Sequence, residues 1–261
     1  MSKSKNVVKK LTTILFTLVA VFAVGLTNVN AKTITVENEE ELINASKGFD
    51  SEINEIKLAK DITLTNHLKF YVINDITLDL NGRSLDTGTY NLEFEYGMSD
   101  YDESVNNYHY GFNSKLTIKD SSSSKTGKIL TKQSILLATH DTNHDEEIKK
   151  YGLTIDGGYY EIISSTNTFI SLFTNDYYTD KRNINVDVKV KDAVFNAGDQ
   201  KSLFGTSSDS DSDIKFNFNF ESLKVMGLAS KLGSNKLGKM KLDNVIDPNS
   251  KAYFQKLPYT T

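Results

Sequence analysis

Six segments of this chain alternate apolar and polar residues and then run into a turn. They are residues 76–82 (ITLDLNG), 116–120 (LTIKD), 153–158 (LTIDGG), 188–192 (VKVKD), 218–222 (FNFES) and 240–244 (MKLDN). Counted from Leu78, Leu116, Leu153, Val188, Phe218 and Met240, they lie 38, 37, 35, 30 and 22 residues apart. Alternation with period two marks strands buried on one face. Recurrence at roughly 20–50 residues, varied by loop insertions, marks stacked structural units.

Each unit holds two further short strands. After Leu116 they fall at 128–131 and 135–139, after Leu153 at 160–163 and 169–173, and after Val188 at 194–196 and 202–204. Residues 55–58, 62–64 and 68–72 form an earlier turn of the same kind. Three strands per turn, each stacked on its counterpart, predict an all-β right-handed parallel β-helix solenoid of about six turns. The chain has only 2 Pro, which suits strands that must donate to a ladder on both sides. Residues 39–45 (EEELINA) break the pattern and predict a short N-terminal helix after the strand at 33–36.

Thr35-Val36 followed by residues 41–45 (ELINA), then 56–64 (IKLAKDITL) and 76–82, resemble the right-handed parallel β-helix (pectate-lyase-like) proteins. More narrowly they are similar to secreted surface proteins of Gram-positive bacteria built on that fold. The resemblance implies that the short helix caps the open end of the coil, where a bare sheet edge would otherwise lie. It leaves activity open, because such a fold hosts lyases, hydrolases, adhesins and binding proteins.

Residues 1–31 predict a secretory signal peptide. Lys3, Lys5, Lys9 and Lys10 form its positive start, residues 11–26 its apolar stretch, and Val29-Asn30-Ala31 its cleavage site. The apolar run is short for a bilayer span, so no stable membrane insertion is expected after cleavage. Residues 32–261 then form one extracellular or cell-surface domain. Loss of four Lys and no acids changes the net charge from -4 to -8, which argues against a nucleic-acid partner. With no Cys, the chain offers no disulfide framework, thiolate metal site or thiol nucleophile.

Alternation also predicts an outward column of Lys119, Asp156, Lys191, Glu221 and Asp243, with Asn81 at its head. Opposite charges on neighbouring strands set the register. They also offer Lys119 and Lys191 as ligand-binding residues, since related enzymes bind sugar chains along such a face. For glycosidase work, Asp156 paired with Asp187 or Asp192 is the candidate catalytic set. Lyases of the resembled fold use Asp-bound Ca²⁺ and an Arg or Lys base. This chain has only Arg83 and Arg182, neither behind an Asp cluster. The polygalacturonase signatures are missing too.

Asp141, Asn143 and Asp145 occupy the first three ligand positions of an EF-hand-like loop and are the candidate Ca²⁺ residues. Glu146 and Gly152 stand where that loop needs Gly and Glu, so no cofactor is expected. Residues 94–112 are a Tyr-rich insertion with two readings. Its rings pack the loop on the wall, or Tyr96, Tyr101, Tyr108 and Tyr110 form a sugar-stacking platform. The expected function is a non-catalytic surface module that binds a polysaccharide, a cell-surface glycan or another partner. The alternatives are a polysaccharide lyase or glycoside hydrolase, and a structural spacer of a larger adhesin.

Overall fold

The computed structural model describes residues 32–111, 113–140, 149–163, 168–175, 183–198, 202–208, 213–221, 223–226 and 254–256. The expected signal peptide and the template segment at 240–244 lie outside them.

Twenty strands and one helix are described, and nearly all the strands fall into three parallel sheets. The first sheet orders β1 (Lys32–Val36), β2 (Ile53–Leu58), β5 (Ile76–Asp79), β9 (Lys115–Lys119), β12 (Lys149–Asp156), β15 (Asn183–Lys191) and β18 (Asp213–Glu221). The second holds β3 (Ile62–Thr63), β6 (Ser84–Asp86), β10 (Lys128–Thr131), β13 (Tyr159–Ile162), β16 (Val194–Asn196) and β19 (Lys224–Met226). In the third are β4 (Leu68–Val72), β7 (Leu92–Asp102), β11 (Ile135–His140), β14 (Thr168–Asn175), β17 (Ser202–Ser208) and β20 (Phe254–Lys256). The chain visits the sheets in turn and pairs each strand with its counterpart in the next repeat. That arrangement is compatible with the expected β-helix.

Inward positions follow the predicted alternation. Leu78, Ile118, Ile155, Val190 and Phe220 stand in register across the first sheet and are between 0% and 5% exposed. Each such side chain contributes about 1.5–3 kcal/mol by leaving water. Aromatic rings stack from one repeat to the next, as Tyr160 does on Phe195 at 4.8 Å between centroids.

The first template segment sits two residues from its expected register. Leu78 pairs with Ile118, and Ile76 pairs with Leu116. Leu80 has left the strand and opens the corner instead, where Arg83 N–H donates to its carbonyl at 2.8 Å. The two residues between them, Asn81 (φ 49°) and Gly82 (φ 75°), are both left-handed, as a type I′ turn requires. A slip of two residues keeps every side chain on its own face, so the core prediction held although the pairing moved.

Helix α1 (Glu39–Ser46) lies where residues 39–45 predicted it. Asn38 caps its start, accepting from Glu41 N–H at 3.0 Å, and Glu39, Glu40 and Glu41 crowd the positive end of its dipole. Leu42 is fully buried, and the Ser46 hydroxyl donates to the Lys69 carbonyl in β4 at 3.0 Å.

Candidate functional site

The outward column of the first sheet is a ladder of alternating charge. Register places Lys57, Asp79, Lys119, Asp156, Lys191 and Glu221 on successive strands. Lys57 and Lys119 approach Asp79 at 3.6 and 4.0 Å, and Lys191 approaches Asp156 at 4.0 Å. Lys119 also reaches Glu55 at 3.1 Å. Asp79, and not Asn81, precedes Lys119, because the strand ends before Asn81. The Asn81 amide instead donates to the Leu58 carbonyl at 2.9 Å inside the corner. Asp243 lies outside the described residues. The Lys191–Asp156 pair is open and contributes at most ~1 kcal/mol, whereas Asp79 is buried, with 1% of its side chain exposed; in register, the ladder penalises a slipped pairing.

The candidate catalytic carboxylates are spread along this face. Asp156 and Asp192 both lie 4.0 Å from the Lys191 ammonium. Asp187 pairs with Gly152, four residues from the Asp156–Lys191 rung, which is roughly 13 Å along the strand. Glycosidase carboxyl pairs need roughly 5–9.5 Å, so the register parts Asp156 from Asp187. The calcium candidates Asp141, Asn143 and Asp145 lie outside the described residues. Among the described residues, no group of three or more His, Asp or Glu is placed to hold a metal ion.

The Tyr-rich insertion is a β-hairpin. The end of β7 turns back antiparallel into β8 (Asn107–Gly111), pairing Tyr101 with Tyr108 and Met98 with Tyr110. Tyr96 departs from the platform expected of it. It is 2% exposed, packs 5.3 Å from the Tyr151 ring, and donates its hydroxyl to the Gly152 carbonyl at 2.9 Å. Its place on the inward-facing part of β7, before the hairpin diverges, sends the ring into the core.

Tyr101, Tyr108 and Tyr110 stay outside, at 39%, 39% and 49% exposure. With Val105 at the tip they make four of the five large exposed hydrophobics among the described residues. The Tyr101 and Tyr108 rings meet edge to face at 5.1 Å. Tyr110, two residues from Tyr108, lies on the same side of its strand.

The other side of the hairpin is braced within itself and meets the body at Asp100, which accepts from the Tyr71 hydroxyl at 3.4 Å, and at His109, whose ring lies 6.2 Å from that of Phe49. His109 Nε2 lies 3.0 Å from Asp102 Oδ2, and His109 N–H donates to Ser99 Oγ at 2.8 Å. Asp100 N–H reaches the Lys47 carbonyl at 3.0 Å, just beyond α1. Hydrogen bonds from the Ser104 hydroxyl first, and then from His109, pull the Asp102 carboxyl down to about 2. At the hairpin base, a side chain on Gly111 would put its Cβ 1.6 Å from the Ile73 carbonyl oxygen. Backbone thus approaches backbone where only Gly fits.

A second feature of the first sheet was missed by sequence reasoning. A cavity of ≈ 500 Å³ opens beside Gly152, lined among others by Lys115, Lys150, Thr154, Asp187 and Asn217, and the Lys115 side chain leans over Gly152 with its Cγ 2.8 Å from where a Cβ would stand. Gly152 stands at an outward position between the inward Tyr151 and Leu153. A glycine inside a strand was the available signal, since it marks a close approach or a ligand. Its neighbours, however, are set by pairing across more than thirty residues.

The fold and site define an all-β chain of three parallel sheets with a single described helix, carrying an aromatic hairpin that extends β7 of the third sheet. No family model, curated protein or solved structure matches the chain. Among the described residues, no helix is long and apolar enough to cross a membrane.

Proposed function

We propose that this chain is a secreted right-handed parallel β-helix whose hairpin binds a glycan on a cell surface without catalysing its cleavage. The observation that carries the reading is the two-sided hairpin. Its two strands are braced to each other through Asp102, His109 and Ser99 and joined to the body through Asp100, while Tyr101, Tyr108 and Tyr110 stay exposed. Rings held in place lose little entropy when a ligand stacks on them. Tyr also combines an apolar face with a hydroxyl that suits a polyhydroxylated partner. The coil reading is supported by strand order within three parallel sheets and by the right-handed rule for parallel connections. Export is supported by the signal-like residues 1–31.

The test is a carbohydrate array probed with and without Ca²⁺, followed by reducing-end and unsaturated-product assays. The expected result is saturable glycan binding without turnover. Changing Tyr101, Tyr108 and Tyr110 together to Ala should weaken it about tenfold or more, at ~0.5–1.5 kcal/mol per ring. Turnover that disappears in Asp156→Ala would overturn the non-catalytic reading. Binding indifferent to the Tyr changes would remove the hairpin from it.

A further inference from the structure

We infer, on the glycan reading of the hairpin, that its ligand carries free amino groups, as a polymer of deacetylated amino sugars does. Residues 97–111 contain Asp100, Asp102 and Glu103, and no Lys or Arg. Asp100 takes the Tyr71 hydroxyl and, at 2.9 Å, the Tyr101 N–H. Asp102 accepts from Ser104 N–H at 2.9 Å and from the Ser104 hydroxyl at 2.6 Å, and meets the His109 ring. Glu103 is exposed in the turn beyond β7. Among the described residues, none of the three forms an ion pair with a Lys or Arg. Lys47, joined to the hairpin through its carbonyl, holds its ammonium 5.7 Å from the Phe49 ring instead. That ring lies by His109, on the side away from the exposed tyrosines.

Charge decides what can cover these rings. The faces of Tyr101, Tyr108 and Tyr110 are electron-rich and attract a cation placed over them. The carboxylates of the same segment attract the same sign of charge and repel uronates and sulfated sugars. Residues 32–261, with 26 basic against 34 acidic residues, draw cations from farther away. A second copy of the chain, meeting hairpin to hairpin, would cover the same apolar surface. It would also set three acids against three acids, and like charges brought opposite one another destabilise. An amino sugar meets both demands at once. Its C–H face stacks on a Tyr ring, and its ammonium lies against a neighbouring ring or toward Glu103. Acetylation keeps the stacking face and removes the charge.

The test is calorimetric titration of the full chain at low salt with a β-1,4-linked glucosamine tetramer and its fully N-acetylated counterpart. The free-amine tetramer should bind about tenfold more tightly, through cation–π and carboxylate contacts together. Added salt should shrink that advantage. Glu103→Gln, an exposed change in a turn, should shrink it too and leave the acetylated tetramer's affinity as it was. Changing Tyr101, Tyr108 and Tyr110 together to Ala should weaken both tetramers. Equal binding of the two, with both weakened in the Tyr variant, overturns the amino-group inference and leaves the hairpin reading standing. Binding that ignores the Tyr changes overturns both. No saturable binding of the free-amine tetramer overturns the inference, as does tetralysine binding equally well, since charge alone would then be read.

Discussion

Asp120 ties two repeats together at one corner, and its loss should be among the costliest single changes outside the apolar core. The residue is 1% exposed and follows β9. Its Oδ1 accepts from Gly82 N–H at 2.8 Å, in the preceding repeat, and from Ser122 N–H at 3.0 Å. Its Oδ2 accepts from Gly127 N–H at 2.6 Å. Asp120→Ala orphans three backbone donors at once. At about 1–3 kcal/mol per buried unsatisfied donor, and with half-buried Ser122 able to find water, the loss should be about 3–5 kcal/mol. Asp120→Asn keeps the oxygen facing Gly82 and Ser122 but turns an NH₂ toward Gly127 N–H, and should cost about 1.5–3 kcal/mol.

The effect has a pH signature. Burial opposes ionisation of Asp120, but donors from Ser122, Gly127 and Gly82 outweigh it and hold the carboxyl below its ordinary value of 3.8. A carboxylate depressed in the folded state stabilises fully above its unfolded value. That contribution disappears as pH falls through the folded value. The gap between wild type and Asp120→Asn should therefore be widest near neutrality and narrow below about pH 4. Urea unfolding followed by circular dichroism at several pH values measures both quantities. A loss below ~1 kcal/mol for Asp120→Ala, or a gap independent of pH, would refute the corner account.

Tyr96→Phe removes only the hydroxyl that meets the Gly152 carbonyl across the core, and should cost about 1 kcal/mol in urea unfolding without changing the fold. Asp156→Lys sets three ammonium groups in one column, with Lys119 and Lys191 on either side. It should destabilise by ~0.2–1 kcal/mol per new like-charged contact, and added salt should relieve the loss. Acid should loosen the hairpin between the ordinary carboxylate value of 3.8 and about 2, as Asp102 takes a proton and releases Ser104 and His109. With no Trp in the chain, intrinsic Tyr fluorescence reports that step, and Asp102→Asn should abolish it.

Much of the architecture was legible because its signals are local. Ile118, Ile155 and Val190 alternate with Lys119, Asp156 and Lys191 over spans of a few residues, and period two alone assigns them to opposite faces. The helix could be read from residues 39–45, where the strand alternation gives way to a helical pattern. The two-residue shift at Leu78 was not legible, because Ile76 and Leu78 are equally apolar and both fit an inward position. Only the corner at Asn81 and Gly82 chooses between them. Tyr96 misled for a related reason. It stands close in sequence to the exposed tyrosines, yet the hairpin leaves the sheet after it, at the left-handed Gly97 (φ 101°).

By itself, then, the sequence determined strand content, sidedness and the N-terminal helix. Each rests on a few neighbouring residues, whose backbone geometry makes apolar and polar positions alternate or recur. Tertiary structure decided which residues share a column: Asp79 beneath Lys119, and Gly152 between Lys115 and Asp187. A column draws one residue from each repeat, and the loops between repeats differ in length. A count along the chain therefore drifts, and only hydrogen-bonded pairing across the sheet restores it. The charge ladder and the outward tyrosines both arise at that level.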